Sequence, residues 1–182
     1  PEDPILGIGF LFTDDINQVS VDFPHKTFAC IDYALIPGRT VPPNVVAIKF
    51  REHEGAFLVG AIAALTSKTG IVGFVGGMDI PLIHKFERGF AAGVEAVRPG
   101  TKVLTGYAGV TGEAFRNPAR GKAIGLAQIG QGADILFHAS GSTGLGVFEA
   151  ARERGVLAIG VDADQWGEAP GTVLTSMVKK VD

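Results

Sequence analysis

The sequence contains few of the residues that mark several large classes of protein. It has a single cysteine, Cys30, so a disulfide framework within the chain is excluded. Its 16 lysines and arginines are outnumbered by 19 acidic residues, and the net charge of −3 provides no broad basic field for nucleic acid. No apolar run reaches the roughly 18 residues that a membrane-spanning helix needs. These absences leave a globular protein, and they predict no nucleic-acid partner.

The apolar residues that are present form short runs without polar alternation. The chain has 182 residues, of which 46% are hydrophobic, enough to bury a sizeable core. Runs rich in Val, Ile and Phe are typical of strands that are buried on both faces, as in a parallel sheet. They predict strands at residues 5–12, 27–31, 45–49, 71–75, 102–107, 134–138, 156–161 and 172–178. Cys30 lies within one of these runs, which predicts a buried structural thiol.

Amphipathic segments separate the later strands. Apolar residues at three- and four-residue spacing predict helices at 54–66 and 81–97. A first-turn proline indicates a helix at 118–131, and the helix-stop sequence Arg-Glu-Arg-Gly indicates one at 143–154. Strand–helix–strand alternation predicts an α/β protein with doubly wound parallel sheets. The stretch Ser-Lys-Thr-Gly at 67–70 follows a helix and precedes a new strand. We therefore expect a first domain at 1–69, too small for a complete core, and a second at 70–182.

Motifs of catalysis and nucleotide binding are absent or incomplete. Gly121-Lys122 is followed by Ala123, so it is not a P-loop. The segment 140–146 nearly matches a nucleophile elbow and reverses the dinucleotide-binding glycine spacing, but it fits neither. The four histidines have no metal-ligand spacing, and His138 at a strand end is interpreted as a satisfied structural residue rather than a catalytic one. We predict no catalytic residue, no metal and no cofactor, and hence a protein that is not an enzyme.

Polar and aromatic residues that follow the predicted strands are the candidates for ligand binding, because parallel strands carry their ligands at the carboxyl edge. Asp14 follows the first strand, where the alternative is that Thr13 or Asp14 caps a helix. Asp162 follows the seventh strand and suits two neighbouring sugar hydroxyls, or an Asx turn. Lys179 ends the last strand and would pair with Asp162 if it points inward. Phe115, in a loop after a strand, is either anchored in the core or exposed for stacking on a base.

Nine segments together resemble the basic-membrane-protein (BMP) family, which includes purine nucleoside-binding lipoproteins of bacterial ABC importers. Two of them read Phe-Arg-Glu-His-Glu-Gly-Ala-Phe-Leu-Val-Gly at 50–60 and Gly-Val-Asp-Ala-Asp-Gln at 160–165. The full set covers residues 9–14, 28–32, 50–60, 69–77, 86–93, 117–122, 140–147, 159–165 and 173–179. Each is weak alone, but their order along nearly the whole chain is specific.

The resemblance implies a type I periplasmic-binding-protein fold with two lobes, of which the first is incomplete here, and a ligand cleft between them. By position in the family, Asp14 would contact the base and Phe115 would stack on it. Asp162 would hold the ribose hydroxyls with the help of Lys179, and the backbone near Gly141 would line the pocket. The family's amino-terminal segment with its lipid-anchored cysteine and its carboxyl-terminal segment are absent, so we expect a chain truncated at both ends.

The function implied by the resemblance is that of the solute-binding component of an ABC importer. Its ligand would be a purine nucleoside such as adenosine or guanosine, and its partner would be a membrane permease. The full-length protein would lie outside the cytoplasm, in the periplasm or lipid-anchored on the outer face of the cell membrane. The alternative is a ligand-sensing regulator of the same fold that binds a pentose or a ribosyl signal, because Asp162 suits a ribose in any of these.

Overall fold

The fold consists of two compact units of parallel strands and helices. A computed structural model describes residues 4–35 and 38–180. The contacts divide the chain into Pro1–Arg51 and Glu52–Asp182. Each unit has its own parallel sheet, which confirms the predicted α/β class.

The first unit contains a three-stranded sheet and one helix. The strands β1 (Ile5–Ile8), β2 (Phe28–Ile31) and β3 (Val45–Ile48) pair in that order, all parallel. Helix α1 (Thr13–Asp22) packs on them through Ile16. Cys30 is fully buried in this core, as predicted, and burial raises the pKa of its thiol.

The chain between β1 and α1 differs from its prediction. The strand expected at 5–12 ends at Ile8, because Gly9 has a φ of 109° and residues Phe10–Phe12 form a short 3-10 helix. Neither Thr13 nor Asp14 caps α1; Phe12 occupies that position without a side-chain hydrogen bond. The Thr13 hydroxyl is buried and accepts a hydrogen bond from the Ala34 N–H at 3.0 Å, so it is bonded to another segment rather than to the first turn of α1.

The second unit is a five-stranded parallel sheet with helices on both faces. Its strands are β4 (Ile71–Met78), β5 (Lys102–Gly109), β6 (Ile135–Ala139), β7 (Leu157–Asp162) and β8 (Val173–Val178), and its helices are α2 (Glu52–Thr66), α3 (Pro81–Val97), α4 (Pro118–Gly130) and α5 (Thr143–Arg154). The strands lie in the order β5-β4-β6-β7-β8 across the sheet. One apolar cluster holds residues of α2 and α3, and another holds residues of α4 and α5. The sheet is therefore covered on both faces, as a doubly wound fold requires.

Close helix pairs in this unit depend on glycine. A Cβ on Gly93 of α3 would lie 1.9 Å from the Phe57 carbonyl oxygen of α2, and one on Gly60 of α2 would lie 2.1 Å from the Phe90 carbonyl oxygen. Such distances are far inside van der Waals contact, so only glycine permits the approach. Gly146 of α5 makes the same kind of contact with the Pro118 carbonyl oxygen of α4, at 1.8 Å.

Helix α2 groups with the second unit, and the compact units consequently divide at Arg51 and Glu52 rather than at the expected boundary of 69 and 70. Its glycine contacts with α3 are one reason. The other is that Met177 of β8 lies against Gly55, where an added Cβ would be 2.8 Å from the methionine methyl carbon. The turn between α2 and β4 suggested a domain boundary in the sequence, but α2 packs with the residues that follow this turn.

Candidate functional site

Polar and aromatic side chains collect at the carboxyl edge of the five-stranded sheet. Asp162 is the last residue of β7, and Lys179 directly follows β8. Gly141 lies in the turn between β6 and α5, and Phe115 belongs to a short 3-10 helix, Gly112–Phe115, after β5. Because all five strands are parallel, these four predicted site residues share one edge of the sheet.

Asp162 and Lys179 form an ion pair at this edge, in agreement with the inward-pointing lysine considered from the sequence. The Lys179 Nζ lies 3.4 Å from Asp162 Oδ1, and the Lys179 N–H donates to the Asp162 carbonyl at 2.9 Å. The lysine side chain is only 7% exposed, whereas that of Asp162 is 55% exposed. Nζ also lies 5.4 Å from the centre of the Phe86 ring, a cation–π distance. The lysine thus holds a carboxylate that is accessible from solvent.

Asp162 has an unusual backbone conformation. Its φ of 66° lies in the left-handed region, which a non-glycine residue adopts only when the surrounding structure holds it there. An Asx turn two residues further along the loop is formed by Asp164, whose Oδ1 accepts from the Trp166 N–H at 3.0 Å. The Asx turn considered for Asp162 itself stays an alternative.

Phe115 is half-buried and packs against the main core of the unit. Its ring lies over the backbone of Gly77 near the end of β4, where a Cβ would be 2.3 Å from a ring carbon. The sequence left open whether Phe115 is anchored in the core or exposed. Phe115 is in fact both anchored in the core and partly exposed. The close approach fixes the ring at the carboxyl edge.

The beginning of α5 holds the loop that carries Phe115. The buried Thr143 hydroxyl donates to the Ala114 carbonyl at 2.7 Å and accepts from the Asn117 N–H at 2.8 Å. Ser142 Oγ donates to the Phe115 carbonyl at 3.0 Å, so the serine of the near-match to a nucleophile elbow has a structural partner. Gly141 has a φ of 56°, and a Cβ there would be 3.0 Å from the same carbonyl oxygen. Gly141 and Phe115 are thus in direct contact.

His138 is confirmed as a satisfied structural histidine. It is fully buried in β6, with Nε2 3.0 Å from Gln165 Oε1, Nδ1 3.3 Å from Ser140 Oγ and its ring edge-on to Phe148. Burial lowers its pKa to about 4, and the contact with Gln165 opposes this shift only in part. The sequence placed His138 at a strand end but did not indicate Gln165 as its partner.

Asp14 belongs to the first unit. It is exposed in the first turn of α1, and it lines a surface depression of about 570 Å³ together with Asp15, Asn17, Gln18, Val21 and Arg39. Its predicted contact with a base stays a prediction.

The described part of the chain contains neither a metal-binding cluster nor a membrane-spanning helix. Within residues 4–35 and 38–180, no three His, Cys, Asp or Glu side chains are grouped so that they could hold a metal ion. Over the same ranges, no helix has the length and apolar character required to cross a membrane.

The doubly wound sheet with a polar carboxyl edge is the architecture of periplasmic-binding-protein-like proteins, and comparison with solved structures supports this class. An ABC transporter system solute-binding protein from Aeropyrum pernix K1 superimposes with a TM-score of 0.82 at 33% identity, over 94% of this chain and 50% of that one. A transcriptional activator of the comK gene from Bacillus halodurans gives a TM-score of 0.73 at 25% identity, over 94% and 56% of the two chains. The predicted type I fold is therefore confirmed.

Residues 2–182 match the Bmp family, described as ABC transporter substrate-binding protein PnrA-like, and the chain belongs to this family. Members are substrate-binding proteins and not enzymes, as predicted. The chain is 41% identical, over 196 aligned residues, to the CD4+ T-cell-stimulating antigen of Listeria monocytogenes serovar 1/2a, with 99% of this chain and 53% of that protein covered. It thus spans about half the length of the curated relatives it matches.

Proposed function

We propose that the full-length protein is the solute-binding component of an ABC importer and binds a purine nucleoside at the carboxyl edge of the five-stranded sheet. The observation that carries the proposal is the exposed carboxylate of Asp162, held by the inward-pointing Lys179 at this edge. Membership in a family of ABC transporter substrate-binding proteins supports the transport role.

The Asp162 carboxylate suits the ribose of such a ligand. A carboxylate offers two oxygens that accept hydrogen bonds, and ribose presents two neighbouring hydroxyl donors. Hydrogen bonds to a charged group stabilise a complex by roughly 1.5–3 kcal/mol each. Lys179 orients the carboxylate, since its ammonium lies 3.4 Å away.

Phe115 suits the base. Its ring is held rigidly over Gly77 and remains partly exposed, so little entropy is lost when a flat base stacks on it. Stacking of a base on an aromatic side chain is worth about 1–3 kcal/mol. A free pentose gains nothing from this ring, and Phe115 is therefore the feature that favours a nucleoside.

The transport role implies a location and a partner. The protein would work outside the cytoplasm, anchored by a lipid in its full-length form, and would deliver its ligand to a membrane permease. Closure of the two lobes around the ligand would create the shape that the permease recognises.

Isothermal titration of the full-length protein tests this function. The protein is first unfolded and refolded to remove bound ligand, and then titrated with adenosine, guanosine, cytidine and ribose. Tight binding of adenosine or guanosine without turnover is the expected result. Binding of ribose alone would contradict the stacking role of Phe115, and no binding to any of the four would contradict the proposal.

A sensor that binds a pentose or a ribosyl signal is the second candidate. It is favoured by the similarity to the comK transcriptional activator from Bacillus halodurans. The same titration separates the two functions, because a pentose sensor would bind ribose at least as tightly as the nucleosides.

A further inference from the structure

Gln165 lies three residues after Asp162, and its side chain turns back into the sheet. Its Oε1 accepts from the Val161 N–H at 2.8 Å and lies 3.0 Å from His138 Nε2. The backbone N–H of Gln165 donates to Ser176 Oγ at 3.0 Å. One residue thereby joins β6, β7 and β8, and its partner Val161 directly precedes Asp162.

The carboxamide occupies a gap between two strands. The pairing of β6 with β7 ends at Phe137 and Ile159, although β6 continues to Ala139 and β7 to Asp162. Beyond that point Gln165 supplies the acceptor that the Val161 N–H would otherwise find in the ladder. Gly160 makes room for it, since a Cβ there would lie 2.9 Å from Gln165 Oε1.

The hydrogen-bond directions in this cluster are determined. The Val161 N–H can only donate, so the Gln165 atom that it meets is the carbonyl oxygen. His138 must then carry its proton on Nε2, and Ser140 Oγ donates to the remaining Nδ1. Burial keeps the imidazole neutral by lowering its pKa to about 4. These three hydrogen bonds therefore agree on a single arrangement of protons.

We infer that Gln165 is a positioning residue for Asp162, and that the His138–Gln165–Val161 cluster holds the Asp162 carboxylate in its ligand-binding orientation. Asp162 has a φ of 66°, which persists only when neighbouring groups fix it. The cluster fixes the chain before Asp162, and the bond from the Lys179 N–H to the Asp162 carbonyl fixes the residue itself. This inference rests on the proposed function, because it assigns Asp162 to ligand binding.

The test is a double-mutant cycle on nucleoside affinity in the full-length protein. Gln165→Ala is expected to raise Kd about tenfold, since an ordered carboxylate is replaced by a mobile one. In an Asp162→Ala background the same change is expected to leave Kd unaltered. Gln165→Glu keeps the acceptor oxygen and should retain more affinity than Gln165→Ala. Gln131→Ala is the matched control, because Gln131 is exposed and bonds only its own helix at Ala127.

A measurement without ligand keeps the inference separate from the proposed function. Hydrogen exchange of the Val161 amide should accelerate at least tenfold in Gln165→Ala and remain unchanged in Gln131→Ala. Trp166, the only tryptophan, adjoins Gln165, and its fluorescence should become easier to quench. If the unmutated protein binds no nucleoside, the proposed function fails, while the exchange rates still test the cluster.

Two results would overturn the inference. One is an equal loss of affinity on Gln165→Ala with and without Asp162, which would make Gln165 a direct contact or a general stabiliser. The other is unchanged exchange of the Val161 amide in Gln165→Ala.

Discussion

Lys179 contacts Asp162 through both its backbone and its side chain. Its N–H donates to the Asp162 carbonyl at 2.9 Å, and its Nζ lies 3.4 Å from the carboxylate. The first contact belongs to the pairing of β7 with β8, so the sheet itself aligns the ammonium with the acid. Lys179 therefore helps to orient the acid, alongside the cluster around Gln165.

Removing the negative charge of Asp162 should weaken ligand binding without unfolding the protein. Asp162→Asn keeps a residue type that tolerates a positive φ but replaces a charged acceptor by a neutral one. We expect nucleoside affinity to fall by about 1–2 kcal/mol, the difference between charged and neutral hydrogen bonds, measured by titration calorimetry. Asp164→Asn in the same loop is the control and should have no effect, because Asn preserves the Asx turn to Trp166. Equal affinity in the two variants would remove Asp162 from the site.

The ring of Phe115 should matter for nucleosides and not for ribose. Phe115→Leu retains an apolar side chain against Gly77 but removes the aromatic face, and we expect nucleoside affinity to fall by about 1–3 kcal/mol. The affinity for ribose, where measurable, should stay constant. Phe57→Ala, at an exposed phenylalanine of α2, is the control. Equal losses for nucleoside and ribose would argue against stacking.

The buried His138 should make the second unit less stable in mild acid. Its pKa is lowered from 6.5 to about 4 by burial, so between these values the unfolded chain binds more protons than the folded one. The free energy of unfolding should therefore be fully retained above pH 6.5 and fall as the pH drops toward 4. At pH 5 the contribution of this residue amounts to a loss of about 2 kcal/mol.

Urea unfolding followed by Trp166 fluorescence at pH 7.5 and pH 5 measures this loss. His138→Gln should remove most of the difference between the two pH values, even if the variant is less stable at both. His53→Gln, at an exposed histidine of α2, should leave the difference intact. A pH dependence that survives in His138→Gln would assign it to other groups.

The glycine contacts between α2 and α3 should be intolerant of a single methyl group. Gly93→Ala places a Cβ 1.9 Å from the Phe57 carbonyl oxygen, and the helices must separate to admit it. We expect a loss of at least about 1–3 kcal/mol in the free energy of unfolding. Gly130→Ala is the matched control, because a Cβ at that helical position meets nothing within 4 Å. It should stabilise the protein by about 0.5–1 kcal/mol, and similar effects of both changes would contradict the packing described.

The helices and strands were predicted best where short sequence patterns mark them. Helix α3 begins at Pro81, and α5 ends before Gly155, which adopts a φ of 66°; both helices have the bounds expected from these residues. The buried strands of the second unit were recognisable because strands covered on both faces contain almost only apolar residues. The same reasoning placed Asp162 and Lys179 at strand ends, and thus at one edge of the sheet.

Interactions between distant residues were not predictable. His138 and Gln165 are far apart in the sequence, and nothing in either segment indicates that a ring and a carboxamide fill a gap between two strands. The grouping of α2 with the second unit depends on Gly60 and Gly93, whose partners are carbonyl oxygens on another helix. Glycine patterns alone do not reveal which helices they bring together.

The left-handed backbone of Asp162 has a consequence for directed evolution of this protein. Glycine adopts a φ of 66° without steric cost, so Asp162→Gly should relieve local strain while deleting the carboxylate. Because Asp162 also pairs with the nearly buried Lys179, a library screened only for resistance to heat responds to two opposed effects at position 162, and neither of them rewards ligand binding. Thermostable receptors or biosensors built on this scaffold will need a simultaneous selection for binding.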